Sequence, residues 1–132
     1  MTDVADRVRL DAARSARERA YVPYSGFAMG AAVRTESGAV LPGALVENVS
    51  LGLAMCAERV ALFAAATAGE RPVALALASR RTNGGLTHPC GACLQVALEL
   101  GGPTVEILVS DPDGETASAT VGELLPRGPH RP

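Results

Sequence analysis

The feature that most constrains this chain is the placement of its cysteines in two short motifs. All three cysteines lie in Cys56-Ala57-Glu58 and Pro89-Cys90-Gly91-Ala92-Cys93, and the first motif puts a carboxylate two residues from a thiol. Three thiolates can hold a zinc ion and leave the fourth tetrahedral position open to water, which distinguishes a catalytic zinc site from a four-ligand structural one. The pattern therefore predicts a fold that brings two distant segments to one metal.

Other interpretations of the cysteines remain open at the level of sequence. Free cysteine is among the most buried residue types, so Cys56 alone is best explained as a core residue. The spacing of Cys90 and Cys93 also suits a thioredoxin-like redox pair, but such a pair leaves Cys56 and Glu58 without a role. A disulfide scaffold is disfavoured because the cysteine count is odd and no charged region followed by an apolar one opens the sequence.

Composition and charge favour an enzyme that acts on a small molecule. The 132 residues suffice for one ordinary domain, and we expect residues 1–132 to form a single one. The net charge is −2 without a basic cluster, which gives no electrostatic footprint for duplex nucleic acid. No apolar run reaches the length of a membrane span, so we expect a soluble, cytoplasmic protein with no membrane partner.

Hydrophobic periodicity and turn residues predict helices that alternate with strands. Helical spacing covers residues 4–19, 54–68 and 90–100, and strand patterns cover 27–35, 39–46, 73–79, 105–110 and 117–121. This order predicts an α/β fold, a three-layer α/β/α sandwich around a mixed sheet of about five strands. The proline-rich segment 126–132 is expected to be irregular.

Both cysteine motifs fall at predicted helix N-termini. Free backbone N–H groups and the positive end of the helix dipole favour thiolates there. Residues two apart on a helix point about 200° from each other, so Cys56 and Glu58 can serve one metal only if it lies near the helix axis, just beyond the N-terminus. Arg59 is either a solvated helix residue or a hydrogen-bond donor that restrains the basicity of the sulfurs.

Segments spread over nearly the whole chain carry a resemblance to a known family. They are Tyr21-Val22-Pro23-Tyr24-Ser25, Phe27-Ala28-Met29-Gly30-Ala31-Ala32, Val46-Glu47-Asn48-Val49-Ser50, Cys56-Ala57-Glu58-Arg59, Pro89-Cys90-Gly91-Ala92-Cys93 with Gln95, and Glu123-Leu124-Leu125-Pro126. In this order they resemble the small-subunit, homotetrameric zinc-dependent cytidine deaminases. The paired zinc motifs are highly specific, whereas the segment that begins at Phe27 is weak on its own.

The resemblance implies a reaction and the residues that perform it. Cys56, Cys90 and Cys93 would bind one zinc ion per subunit, and Glu58 would be the catalytic acid and base. The reaction implied is the hydrolytic deamination of cytidine and deoxycytidine to uridine and deoxyuridine, with release of ammonia, as in pyrimidine salvage. Glu58 would move protons from the attacking water to ring N3 and to the departing amine.

The resemblance also implies how the substrate is held and how the subunits assemble. The backbone N–H of Ala57 would contact the base, Phe27 would pack in the pocket, and Glu47 would accept a hydrogen bond from a ribose hydroxyl. Arg59 would donate to the sulfurs. Members of this class form homotetramers that share residues between sites, and a tetramer would bury an alanine-rich helix surface that one small domain covers poorly.

Four positions depart from the family pattern. Leu45, among the substrate-binding positions, replaces an asparagine that helps to hold the ribose, and Leu94 replaces an arginine. Leu51 and Pro129 stand where aromatic residues are common. Leu45, Leu51 and Pro129 belong to the nucleoside pocket in the family, so the resemblance supports the reaction class more strongly than the substrate. A polar site that loses a hydroxyl partner can lose much of its discrimination.

Two other functions are therefore kept as hypotheses. The first is a deaminase of a modified aminopyrimidine nucleoside or nucleoside antibiotic, like blasticidin-S deaminase, or of another cyclic amidine. The second is a non-catalytic subunit stabilised by zinc. Glu58 beside an open coordination position argues against the second hypothesis.

Overall fold

A mixed five-stranded sheet organises the computed structural model, which describes residues 3–131. The strands are β1 (Met29–Thr35), β2 (Val40–Ala44), β3 (Pro72–Ser79), β4 (Glu106–Ser110) and β5 (Thr116–Thr120). The helices are α1 (Val4–Arg17), α2 (Ala57–Thr67), α3 (Gly91–Gly101) and α4 (Val121–Leu124), with a short 3₁₀ helix at Leu51–Leu53. Met1, Thr2 and Pro132 lie outside the described residues, so the single domain predicted for residues 1–132 stays a prediction.

The strand order in the sheet is β2-β1-β3-β4-β5. β3 and β4 run parallel, with Leu75 opposite Ile107, and the other neighbours run antiparallel. The parallel pair requires a crossover connection, which α3 provides. The prediction of a mixed sheet of about five strands is confirmed.

Helices cover both faces of the sheet, which confirms the predicted three-layer sandwich. On one face, α1 packs Leu10 and Ala13 against small strand residues such as Ala76. On the other face, α2 and α3 bury Leu62 and Leu98 against the larger side chains of the sheet. Alternation along each strand sends successive side chains to opposite faces, so in β3 Ala76 and Ala78 face the α1 layer while Leu75 and Leu77 face the α2–α3 layer.

Glycine in β2 allows the sheet to approach the start of α2 closely. A Cβ atom at Gly43 would lie 2.5 Å from both the carbonyl oxygen of Ala57 and the backbone nitrogen of Ala61. That separation is shorter than any tolerable contact with backbone atoms, so only glycine permits this packing. The close approach fixes the height of α2 above the sheet, and hence the place where Cys56 begins the helix.

The C-terminal region differs from the prediction at one point. The predicted strand 117–121 ends at Thr120, because Val121 begins α4, a helix that the sequence pattern did not predict. A reciprocal capping box stabilises this single turn: the backbone N–H of Glu123 donates to Thr120 Oγ1 at 3.2 Å, and the backbone N–H of Thr120 donates to Glu123 Oε1 at 2.9 Å. Residues 126–131 are irregular as predicted, and Pro132 lies outside the described residues.

The predicted bounds of the other elements differ from the observed ones by a few residues. The first helix ends at Arg17, and the first strand begins at Met29 because Phe27 belongs to the preceding loop. Within residues 3–131, no helix is both long enough and apolar enough to cross a membrane.

Candidate metal centre and active site

The three cysteine thiols meet at the N-termini of α2 and α3. Cys56 is the N-cap of α2, and Cys90 is the N-cap of α3, with Cys93 in the first turn. The Sγ atoms of Cys56 and Cys90 are 4.0 Å apart, those of Cys90 and Cys93 are 3.4 Å apart, and all three lie within 4.8 Å of one another. The prediction that two helix N-termini bring all three sulfurs to one point is confirmed.

The spacing of the sulfurs fits a zinc ion. Zn–S bonds of about 2.3 Å at tetrahedral angles place neighbouring sulfurs about 3.8 Å apart, close to the 3.4 and 4.0 Å observed. Cys93 is buried, Cys56 is half-buried and Cys90 is exposed, so the cluster is open to solvent on one side. Three sulfur donors leave one tetrahedral position for a water molecule or a substrate atom.

The electrostatics of the sulfurs also call for a cation. A hydrogen bond from the Cys93 thiol, opposed by burial and reinforced by Arg59, lowers the pKa of Cys56 to about 5. The pKa of Cys93 is raised, first by that same hydrogen bond and then by burial and the negative charge of Glu58 and Cys56. Three adjacent sulfurs therefore cannot all ionise unaided, and a dication supplies the charge that would allow them to do so.

Arg59 contacts the sulfur cluster directly. Its Nη2 lies 3.3 Å from Cys56 Sγ, and its side chain is half-buried, so it is not a freely solvated helix residue. The pKa of Arg59 is raised by this hydrogen bond, and the guanidinium stays charged. A fixed positive charge beside thiolates lowers their basicity, in agreement with the donor role considered from the sequence.

Glu58 is a buried carboxyl group beside the sulfurs. It is 1% exposed, and its Oε1 has no hydrogen-bond partner among residues 3–131. Burial is the main cause that raises the pKa of Glu58 to about 7, and the negative charge of Cys56 adds to the shift. A carboxyl group with a pKa near neutrality can both accept and donate a proton at physiological pH. A free buried oxygen also fits a group that bonds a ligand rather than the protein.

Glu47 lies next to the segment that leads to Cys56. Val46 and Met55 form an isolated antiparallel bridge, with backbone N–H···O distances of 3.1 and 2.9 Å. Met55 directly precedes Cys56, so this bridge brings the Glu47 segment alongside the metal centre. The carboxylate of Glu47 accepts hydrogen bonds from the backbone N–H groups of Tyr24 and Ser25, and from Ser25 Oγ at 2.5 Å.

Phe27 is half-buried and is contacted by two residues to which the sequence assigned no role. Its backbone N–H donates to Ser25 Oγ at 3.0 Å, and the guanidinium carbon of Arg80 lies 4.7 Å from its ring centroid. Ser25 reaches Glu47 across 22 residues of chain, and Arg80 follows β3. No local sequence pattern marks either contact, because each depends on how distant segments meet in the fold.

The four positions that depart from the family pattern have different surroundings. Leu45 is partly buried against the core, and Leu94, at 6% exposure, is part of it, so α3 has an apolar contact there in place of a charge. Leu51 is 84% exposed on the 3₁₀ helix. The carbonyl oxygen of Pro129 accepts a hydrogen bond from Gln95 Nε2 at 2.7 Å, which ties the C-terminal segment to α3.

Comparison with known proteins confirms the resemblance carried by the motifs. A family model described as the cytidine and deoxycytidylate deaminase zinc-binding region matches residues 5–109. A relative named cytidine deaminase from Halalkalibacterium halodurans is 46% identical over 111 residues, which are 84% of this chain and 83% of the relative. A cytidine deaminase from Mycobacterium tuberculosis is 42% identical over 127 residues, covering 96% of this chain and 90% of that protein.

Solved structures agree with the sequence comparison. The crystal structure of cytidine deaminase from Burkholderia pseudomallei superimposes with a TM-score of 0.87 at 45% identity, over 92% of this chain and 97% of that one. The crystal structure of cytidine deaminase from Mycobacterium tuberculosis has a TM-score of 0.78 at 40% identity, over 96% and 98% of the two chains. The similarity therefore extends over the whole fold and includes both cysteine motifs.

Proposed function

Because the chain belongs to the cytidine and deoxycytidylate deaminase family, we propose that it hydrolyses cytidine and deoxycytidine to uridine and deoxyuridine, with release of ammonia. The observation that carries this function is the buried Glu58 carboxyl group, placed two residues from a thiol of a three-sulfur cluster. A metal site and a proton-transfer group side by side are what hydrolysis of a ring amine requires.

The cysteine cluster supplies the metal part of the site. Cys56, Cys90 and Cys93 would hold one zinc ion per subunit, and Arg59 would offset part of the negative charge of the sulfurs. When bound, zinc supplies Lewis-acid chemistry that makes water a nucleophile near neutral pH. Three cysteine ligands would leave one position for a water molecule, as in other catalytic zinc sites.

Glu58 moves the protons of the reaction. As a buried carboxyl group beside the sulfur cluster, it can take a proton from the water that adds to C4 of the pyrimidine and deliver it to ring N3. It can then take the remaining proton of the hydroxyl group added at C4 and deliver it to the amino group, which leaves as ammonia as the C4–N bond breaks and the C4 carbonyl forms. Burial of Glu58 excludes bulk water, so these protons pass between the carboxyl group and the substrate.

Three further residues are proposed to hold the nucleoside. The backbone N–H of Ala57 would donate to the base, Phe27 would pack against the substrate, and Glu47 would accept a hydrogen bond from a sugar hydroxyl. The proximity of the Glu47 and Cys56 segments supports this arrangement. Leu45, beside them, cannot make a hydrogen bond through its side chain, so Glu47 would hold the sugar without an amide partner there.

The two other functions considered from the sequence are not favoured. The chain is 40–46% identical over most of its length to proteins named cytidine deaminase. A non-catalytic zinc subunit would have no use for a buried carboxyl group that lies beside the sulfur cluster with one oxygen unbonded among residues 3–131. Leu45 therefore bears on affinity for cytidine more than on the identity of the substrate.

We further propose a homotetramer that works in pyrimidine salvage in the cytoplasm. Several large apolar side chains are exposed in the single chain, and a second subunit would cover them. They are Val49, Leu51, Leu53 and Phe63. Three thiols that must stay reduced to bind a metal also suit a reducing compartment.

A deamination assay over a substrate panel tests the proposed function. Zinc-loaded protein would be supplied with cytidine, deoxycytidine, cytosine and modified cytosine nucleosides, and ammonia and the uracil product would be measured together. We expect turnover of cytidine and deoxycytidine, with one zinc per chain by metal analysis. Turnover of a modified nucleoside alone, with cytidine and deoxycytidine ignored at millimolar concentration, would overturn the proposal in favour of the modified-nucleoside hypothesis.

A further inference from the structure

Phe27 is held from two sides by residues that lie outside the metal centre. Ser25 bonds its backbone, and Arg80 faces its ring. Neither residue touches the cysteines or Glu58 in the contacts described for residues 3–131. Both act on the aromatic residue that is proposed to pack against the nucleoside.

The Ser25 hydroxyl connects Glu47 to the backbone of Phe27. Its oxygen lies 2.5 Å from Glu47 Oε2 and 3.0 Å from the nitrogen of Phe27. A hydroxyl has one donor and two acceptor sites, so it donates to the carboxylate and accepts from the Phe27 N–H. The hydrogen bond from Ser25 is also the largest cause that lowers the pKa of Glu47, so the carboxylate is ionised and the contact is charge-assisted.

The Arg80 guanidinium lies over the ring of Phe27. Its distance of 4.7 Å from the ring centroid is within the range of cation–π attraction, which extends to about 6 Å. Among residues 3–131, no carboxylate forms an ion pair with Arg80. Its guanidinium therefore interacts with the ring of Phe27 without competition from an ion pair. Arg80 directly follows Ser79, which is buried at the end of β3, so the sheet fixes where its side chain begins.

We propose that Ser25 and Arg80 are positioning residues for substrate binding, which orient Phe27 from its backbone and from its ring face. This inference rests on the proposed function, because it concerns how Phe27 is presented to the nucleoside. Glu47 then has two tasks, since it anchors the Ser25 loop and is also the proposed partner of the sugar. Loss of either contact lets Phe27 leave its orientation and weakens substrate binding, while the proton transfers at Glu58 are left intact.

Substitution of Ser25 separates these tasks, because the carboxylate of Glu47 keeps the backbone N–H groups of Tyr24 and Ser25 as donors. Ser25→Ala removes both hydrogen bonds of the hydroxyl, and the one that orients Phe27 is the bond from the Phe27 N–H, whose loss corresponds to about a two- to tenfold effect. We expect Ser25→Ala to raise the Michaelis constant for cytidine by that factor and to change kcat by less than about twofold. Ser25→Thr, which keeps the hydroxyl group, should restore the Michaelis constant of wild type. Ser118→Ala, at an exposed serine of β5, is the matched control.

Arg80 is tested in the same way. Removal of a cation–π contact at an exposed site corresponds to about a two- to fivefold effect. We expect Arg80→Gln to raise the Michaelis constant by that factor and Arg80→Lys to recover part of the loss. Arg7→Gln, at an exposed arginine of α1, is the control. Calorimetry would measure cytidine affinity in zinc-loaded proteins that also carry Glu58→Gln, in which turnover is suppressed. The affinities should rank the Ser25 and Arg80 variants in the same order as the Michaelis constants.

A measurement without substrate tests the contact itself. Amide hydrogen exchange at Phe27, followed by NMR, should be about two- to tenfold faster in Ser25→Ala, while the amide of Val33 in the core strand is unchanged. Unchanged exchange at Phe27 would overturn the inference whether or not cytidine is a substrate. Cytidine binding that ignores both substitutions would overturn this inference alone, whereas wild type that binds no cytidine would overturn it together with the proposed function.

Discussion

Cys56 Sγ lies 4.0 Å from Cys90 Sγ, although 34 residues separate them along the chain. Each cysteine is the N-cap of a helix, so the relationship is set by how α2 and α3 pack on the same face of the sheet. The metal centre therefore depends on helix placement as well as on the identity of its ligands.

Arg59→Gln should weaken the metal centre. The guanidinium donates to Cys56 and helps to hold the pKa of that thiol at about 5, so its loss leaves a more basic, less stabilised thiolate. Removal of a residue that supports metal ligands lowers metal affinity or activity by roughly 10–100-fold. Chelator competition would measure zinc affinity, with Arg59→Lys as the variant that keeps the charge. Equal zinc affinity in wild type and Arg59→Gln would show that the contact is incidental.

Gly43→Ala should destabilise the fold and disturb the site. The added Cβ would lie 2.5 Å from backbone atoms of Ala57 and Ala61, so α2 must move away from β2. Overpacking of this kind costs about 1–3 kcal/mol of unfolding free energy. Urea unfolding and zinc content would be measured against Gly52→Ala, where a Cβ would meet nothing within 4 Å. If both variants unfold at the same urea concentration, the close approach does not govern the position of α2.

Asp111 should stabilise the folded protein at neutral pH and lose that contribution in acid. Burial alone would raise the pKa of Asp111, but hydrogen bonds from the backbone N–H of Glu115 and from Arg81 outweigh it and hold the pKa below 3.8. Since the folded pKa is the lower one, the stabilisation is present above the unfolded pKa and is lost as pH falls through the folded value.

Asp111→Asn should therefore be less stable than wild type at pH 7, with a difference that shrinks as the pH is lowered below 3.8. The free energy of unfolding of wild type and of Asp111→Asn would be measured at several pH values. Because both proteins lose zinc in acid, their difference at each pH reports the contribution of Asp111. Asp113→Asn is the control, because the Asp113 carboxylate makes no hydrogen bond in the contacts described for residues 3–131. A constant difference across pH would mean that Asp111 acts by packing alone.

Leu45→Asn should lower the Michaelis constant for cytidine and deoxycytidine. An amide at this position could share the sugar hydroxyls with Glu47, and one such hydrogen bond is worth roughly 0.5–1.5 kcal/mol. Because Leu45 packs against the core, the substitution should also lower the melting temperature. Leu45→Ala loses the same packing without gaining a polar group, so it separates the two effects. Equal Michaelis constants in the Asn and Ala variants would place the sugar elsewhere.

The cysteine cluster is the part of the site that the sequence predicts best. The motifs that contain Cys56 and Cys90 carry their own spacing, and helix capping indicates where each begins. The continuous apolar run of β3 likewise predicts a central strand, and the strand is buried along nearly its whole length. α4 was missed because four residues are too few for a periodic pattern, although Thr120 and Glu123 carry a capping-box signal.

The contacts around Phe27 could not be predicted in the same way. Ser25 stands in a recognisable loop motif, but its hydroxyl meets Glu47 only once β2 has returned beside that loop. The sequence assigned no role to Arg80, and only the fold puts it over an aromatic ring. Such contacts depend on tertiary placement, which a local pattern does not encode.

Glu58→Gln, assayed for zinc and for turnover on the same sample, tests the proposed chemistry most directly. Glutamine keeps the size of the side chain but cannot transfer the proton, and Glu58 is not one of the three sulfur ligands. We predict about one zinc per chain, an unchanged fold, and cytidine deamination reduced by about 10²–10⁴-fold or more. Zinc content equal to wild type together with a deamination rate close to wild type would contradict the role of Glu58.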